Sequence, residues 1–93
     1  MKIVSSSSAA KSTVNIKWKK DSSVDGYEIL VATDKKFSKN KNKYIIKSKN
    51  KATKKITNLK SGKKYYVKIR SYKIINKKKI YSAYSSAENL IVK

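Results

Sequence analysis

Apolar and polar residues alternate one by one along much of the chain. Val14, Ile16 and Trp18 are separated by Asn15 and Lys17, and Tyr27, Ile29 and Val31 by Glu28 and Leu30. Tyr65, Val67 and Ile69 are separated in the same way by Tyr66 and Lys68. A period of two marks a strand with one buried face, because successive side chains leave a pleated backbone on opposite sides. The runs are filled with β-branched and aromatic residues, which suit a pleated surface. No long stretch carries a helical period.

Turn chemistry separates the runs: Asp21-Ser22-Ser23, Asp25-Gly26, Asn40-Lys41-Asn42, Ser61-Gly62 and Ile75-Asn76-Lys77. The pattern predicts strands over residues 2–6, 13–19, 26–33, 43–48, 52–57, 63–75 and 79–92. The last two form a hairpin around Asn76. The final strand is interrupted near Ser85-Ser86, where the alternation slips. Ser5 to Ser8 reads either as a linker or as the turn joining the first two strands. Strands at this spacing predict an all-β fold, a seven-stranded antiparallel sandwich of two sheets. A chain of 93 residues holds one such domain, here residues 1–93, with a modest core.

Composition narrows the chemistry. There is no cysteine and no histidine, so disulfides, thiolate metal sites and imidazole acid–base chemistry are excluded. Five acidic residues stand against 25 basic ones, a net charge of +20. No enzyme, cofactor or metal is expected. Asp21, Asp25 and Asp34 flank turns, and calcium needs about six to eight oxygens at one place, so turn-stabilising roles are expected for them. Serines and lysines are everywhere, and nothing singles out a Ser–Lys nucleophile pair.

All but one of the basic residues are lysine, the exception being Arg70. Lysine is a hydrated point charge without arginine's planar fork. A Lys/Asn/Ile bias is also what an AT-rich coding sequence produces, so part of the charge is expected as surface filling. The clusters are Lys35-Lys36, Lys39 to Lys43, Lys47 to Lys55, Lys63-Lys64 and Lys77-Lys78-Lys79. On the predicted strand order they fall on both sheets, both edges and both ends. A dedicated nucleic-acid site would concentrate them on one face with stacking aromatics. Specific nucleic-acid binding is therefore not expected, although any polyanion attracts such a chain. Edge lysines also block pairing between sheets.

The apolar run after Lys2 is far too short for a leader, and no run approaches a membrane span. If the parent protein is secreted, its leader is expected outside this chain, with Met1 only the start of an excised piece.

Several motifs in order resemble a fibronectin type III domain, of the lysine-rich kind found in surface proteins of low-GC Gram-positive bacteria. Trp18 ends the second strand, and Asp25-Gly26-Tyr27-Glu28-Ile29 opens the third. Leu59 to Tyr72 runs from a loop into the sixth, and Tyr81-Ser82-Ala83-Tyr84-Ser85 follows the hairpin. The resemblance implies an immunoglobulin-like sandwich with Trp18 as core anchor. Tyr65 would be a tyrosine corner whose hydroxyl bonds nearby backbone, with Leu59 plugging the core below it and Gly62 in the turn. Ser61 stands where the family usually has proline, and Lys54 where an inward apolar residue is common. No Arg-Gly-Asp sequence is present, so integrin binding does not transfer.

Trp18, Tyr27, Ile29, Leu59, Tyr65, Val67 and Ile69 are thus the expected core. Leu30, Tyr66, Arg70 and Tyr72, with Tyr44, are the candidates for an exposed contact surface. Glu28 and Arg70 are expected to form an ion pair at the surface, worth at most about 1 kcal/mol. The resemblance implies a non-catalytic spacer or presentation module in an extracellular, cell-surface or cell-wall protein. As an isolated domain it is expected to be monomeric. Its partners would be neighbouring domains and anionic wall polymers or glycans. Two alternatives are a small basic protein that binds nucleic acid or anionic glycans, and a carbohydrate-binding sandwich that uses exposed tyrosines.

Overall fold

The computed structural model describes residues 3–8 and 10–93, so the readings placed on Met1 and Lys2 lie outside the described residues. Regular structure among the described residues is entirely β. Eight strands are formed: β1 (Ile3–Ser7), β2 (Val14–Trp18), β3 (Gly26–Ala32), β4 (Asn42–Ile46), β5 (Thr53–Ile56), β6 (Lys64–Ile75), β7 (Lys78–Tyr81) and β8 (Glu88–Ile91). All pair antiparallel, in a sandwich of two sheets. One sheet has the order β1-β2-β5, the other β4-β3-β6 with β7 and β8 both on the far side of β6.

The predicted last strand is thus two. β7 pairs with the distal half of β6, from Tyr72 to Ile75, and β8 with the proximal half, from Lys64 to Val67. Between them Ser82 and Ser85 clip an irregular segment onto β6. Their N–H groups donate to the Ser71 and Ile69 carbonyls at 2.9 and 2.7 Å. Their hydroxyls accept the N–H groups of the same two residues at 2.9 and 3.0 Å. Side-chain oxygens stand in for strand carbonyls, so β6 keeps its donors satisfied where the ladder lapses. The β6–β7 turn has Asn76 and Lys77 both at positive φ, 51° and 64°, the conformation of a tight two-residue hairpin.

The core lies between the sheets. Trp18, Tyr27, Ile29, Leu59, Tyr65, Val67 and Ile69 are all buried in one cluster with Ile16, Ile56 and Val92. Trp18 and Tyr27 rings meet at 5.4 Å. The Trp18 Nε1 is buried and finds no acceptor among the described residues, so the indole anchors by volume. The Tyr65 hydroxyl accepts the Lys60 N–H at 3.0 Å above buried Leu59. Lys54 lies opposite fully buried Ile16 and therefore on the inner side of β5. It escapes at the edge, with its ammonium 5.9 Å from the Tyr44 ring centre.

The two glycines act for different reasons. At Gly26 a Cβ would collide with the Ile46 carbonyl and, at 2.5 Å, with the Tyr72 hydroxyl. At Gly62 the space is open but φ is +78°. Gly26→Ala should therefore destabilise by about 2 kcal/mol or more through overpacking, and Gly62→Ala by about 1 kcal/mol through backbone strain. Tyr65→Phe should cost about 1 kcal/mol, the net worth of one hydrogen bond. Urea unfolding midpoints at constant slope measure all three.

Candidate functional site

On the outer face of the larger sheet, β3 presents Gly26, Glu28, Leu30 and Ala32, and all four are buried. The alternation assigns this face to solvent. Glu28 is 0% exposed, which corrects the expected surface ion pair. Its partner is Arg70, directly across on β6. The guanidinium donates through Nη2 to both carboxylate oxygens at 3.1 and 3.2 Å, and through Nε to one of them at 3.3 Å. The Tyr84 hydroxyl donates to Oε1 at 3.1 Å, and the Lys43 ammonium stands 3.8 Å away. Burial, and next the Glu28 charge, raise the Tyr84 hydroxyl above its ordinary pKa.

Arg70 itself lies between two rings, 3.7 Å from the centre of Tyr81 and 4.5 Å from that of Tyr84. Lys68 sits likewise between Tyr84 and Phe37, at 4.3 and 4.4 Å. Cations and rings thus alternate across the sheet as Phe37, Lys68, Tyr84, Arg70, Tyr81. Each cation–ring pair is worth about 0.5–2 kcal/mol according to its exposure. Tyr81 and Tyr84 are three residues apart, and Ser82 and Ser85 clip the same segment to β6. That spacing was the visible sequence signal for two ring positions. Phe37 gave none: it is a buried ring in a loop, at the left-handed φ of 54°.

The remaining surface candidates move inward. Leu30 is buried with Ala32 and Phe37, and Tyr66 and Tyr84 lie half-buried against them. Tyr72 is buried over Gly26. Tyr44 pairs with Ile29, so it belongs to the inner face and packs on the main core. Leu30, Tyr44 and Tyr72 therefore do not form an exposed aromatic patch with Tyr66. The β3 face has no third layer to cover it, and these side chains are the cover.

The aspartates accept backbone N–H groups, two of them in their own loops and Asp25 on β6. Asp21 accepts the Ser23 N–H and hydroxyl at 2.9 and 2.6 Å. Asp25 accepts the Ile74 N–H at 2.6 Å. Asp34 accepts the N–H groups of Ser38 and Lys39 and the Ser38 hydroxyl, which lowers its pKa to about 2.

The lysines are less evenly spread than their positions in the chain imply. β1 lies against β8, so β4 and β5 share the opposite lateral wall of the sandwich. Residues 35–60, which build that wall and its loops, carry repeated lysines and no acid. Residues 80–92 and 3–8, on the β1–β8 side, carry no basic residue. β7, however, is the edge strand on the far side of β6 and carries Lys78 and Lys79, so the expected lysines on both edges are present, with the denser share on the β4–β5 wall. β4 and β5 are edges of different sheets, but those two edges stack.

Among known families, the pattern of the fibronectin type III domain matches residues 2–88. A crystal structure of chicken CNTN1 FN1–FN3 domains superposes with a TM-score of 0.74 at 20% identity, over 100% of this chain and 31% of that one. A solution structure of the fn3 domain of human contactin 1 gives 0.77 at 14% identity, over 100% and 77%. The chain thus spans about a third of the first of these. No curated protein sequence matches it.

Arg70→Met should destabilise by about 2–3 kcal/mol, because it leaves a buried carboxylate with only the half-exposed Lys43 ammonium at 3.8 Å as its cation. The double variant Glu28→Leu/Arg70→Met should lose less than half as much, as denaturant unfolding of the set will show. Asp34 has a depressed folded pKa, so its contribution is present above about pH 4 and lost as pH falls toward 2. In Asp34→Asn, that segment of the stability–pH curve should flatten.

Proposed function

The chain belongs to the fibronectin type III domain family, and from that premise we propose that it is a spacer or presentation module of a larger extracellular or cell-wall-associated protein. Domains of this family are in general non-catalytic and commonly work in multidomain chains. The observation that carries the reading is the use of the reactive-looking side chains. Glu28, Arg70 and Tyr84 satisfy one another, and Asp21, Asp25 and Asp34 are held by loop or strand N–H groups. These groups stabilise the sandwich and leave it as a rigid unit that carries charge. Residues 1–93 are the single module in this reading, and its partners are neighbouring domains and anionic polymers of a cell envelope. The lysine-rich surface is the property it would share with modules from low-GC Gram-positive surface proteins.

No helix is long and apolar enough to cross a membrane, so attachment in this reading comes from the parent protein. An antibody raised against the domain tests the proposal on fractionated source cells. The antigen should run as a polypeptide much larger than 10.6 kDa and partition with the envelope or the medium. A free domain-sized antigen confined to the cytoplasm would overturn it.

A further inference from the structure

We propose that the β4–β5 wall is a docking strip for a flexible, linear phosphodiester polymer. The inference rests on the proposed role beside anionic polymers and assigns that role to one surface. Lys41, Lys43, Lys47, Lys49, Lys51 and Lys55 all fall at odd positions, and all are exposed. In β4 the odd positions point away from the core: Lys43 lies opposite Leu30 on the outer face. In β5 they again point outward, since Ile56 and Lys54 take the inner side. The row therefore starts on the outside of one sheet, turns around the edge and ends on the outside of the other. Lys43 and Lys55 lie on the two strands, and Lys47, Lys49 and Lys51 in the connection between them.

The turn between the strands is held in place from the core. The Tyr27 hydroxyl donates to the Lys49 carbonyl at 2.8 Å, and the Trp18 N–H to the Ala52 carbonyl at 2.9 Å. The Ser48 hydroxyl and carbonyl accept the N–H groups of Asn50 and Lys51. Upstream, Asp34 and Thr33 pin both backbone groups of Lys39. The backbone of the row is thus set before a ligand arrives; among the described residues the Lys43 ammonium stands 3.8 Å from Glu28, and those of Lys41, Lys47, Lys49, Lys51 and Lys55 meet no carboxylate. That combination suits a chain of repeated single charges.

The chemistry also selects the class of polymer. The strip has no arginine fork to read a base edge and no exposed ring for a base to stack on, since its one tyrosine, Tyr44, packs inward under Lys54. Lysine binds phosphate as a point charge. The curvature of the row around an edge needs a flexible partner rather than a duplex. On the opposite side β1 and β8 carry no lysine, and those of β7 are confined to its start, Lys78 and Lys79, so that edge offers no row of comparable length.

Two five-residue variants of equal net charge test this. One carries Lys→Gln at Lys43, Lys47, Lys49, Lys51 and Lys55; the other at Lys11, Lys60, Lys63, Lys64 and Lys93. The probe is poly(glycerol phosphate), titrated from low to physiological salt, with heparin, oligo(dT) and polyglutamate as comparison polymers. The strip variant should bind at least about tenfold more weakly than the control, with a salt slope lower by about 1 for each phosphate left without its lysine. Equal weakening of both variants would reduce the effect to net charge and overturn the strip. Tenfold preference for heparin or polyglutamate would overturn the phosphodiester assignment, and tenfold preference for oligo(dT) over poly(glycerol phosphate) would overturn the claim that the strip reads no base. Acetylation footprinting of the unmodified domain with and without the polymer is independent of variant folding. Protection of Lys43 to Lys55 over Lys60 to Lys64 is expected, and uniform protection would sink the idea. An envelope-located antigen whose strip fails these tests leaves the module reading standing. A cytoplasmic antigen with a working strip does the reverse.

Discussion

β3 is buried along its whole length on both faces, yet the sandwich has only two layers. Its inner side, Tyr27, Ile29 and Val31, meets the smaller sheet across the core. Its outer side has no sheet or helix above it, so neighbouring side chains must supply the cover. Gly26 makes room for the Tyr72 ring, and Phe37, Tyr66 and Tyr84 close over Leu30 and Ala32. Lys68 and Arg70 complete the layer. A long cationic side chain is apolar along its stem and wet at its head, so flanking rings turn it into a roof. The buried carboxylate of Glu28 is tolerable only beneath such a roof, because an unpaired charge there would cost several kcal/mol. Some of what counts as surface charge in the composition is therefore packing material.

The exposed lysines follow a different balance. Two ammonium groups about 6.8 Å apart repel by about 0.6 kcal/mol in water before screening, and by about half that at physiological salt. A row of them costs the domain on the order of 1–2 kcal/mol. That is a real fraction of the roughly 5–15 kcal/mol typical of a domain, but a bearable one. Repulsion favours placing such a row where side chains can splay, and an edge that curves between two sheets does this better than a flat face. The same crowding is relieved when a polyanion replaces condensed counterions. Self-repulsion and attraction for polymers are thus one property of the wall.

The inner half of the fold was legible in the alternation, and the Tyr65 hydroxyl bond and the Gly62 turn in the resemblance to fibronectin type III domains. The outer half was not, for a definite reason. Period two says which face a residue takes and is silent on whether that face is covered. Alternation puts Glu28, Leu30 and Tyr72 on the correct side but in the wrong environment, because the cover for β3 comes from β6, from residues 81–85 and from the loop ring of Phe37, all outside the strand. The slip at Ser85-Ser86 was visible, but its consequence was not. Two serine hydroxyls replace a stretch of ladder and so divide one strand into β7 and β8. The lysine wall was hidden by topology. β4 and β5 belong to different sheets, and only stacking reveals that their edges are one surface.

The single arginine draws the line between these two uses of positive charge. Arg70 must meet both oxygens of a buried carboxylate while its plane fits between two rings. A planar fork can do this, and a lysine ammonium, which offers only a point charge, cannot. At the wall only Lys43 faces such a group, the Glu28 carboxylate at 3.8 Å, and the other cations meet none among the described residues, so lysine suffices. A surface built in that way encodes spacing and density of charge rather than the shape of a ligand. It should distinguish polymers by the flexibility and repeat of their charges, and hold them no more tightly than the salt around them allows.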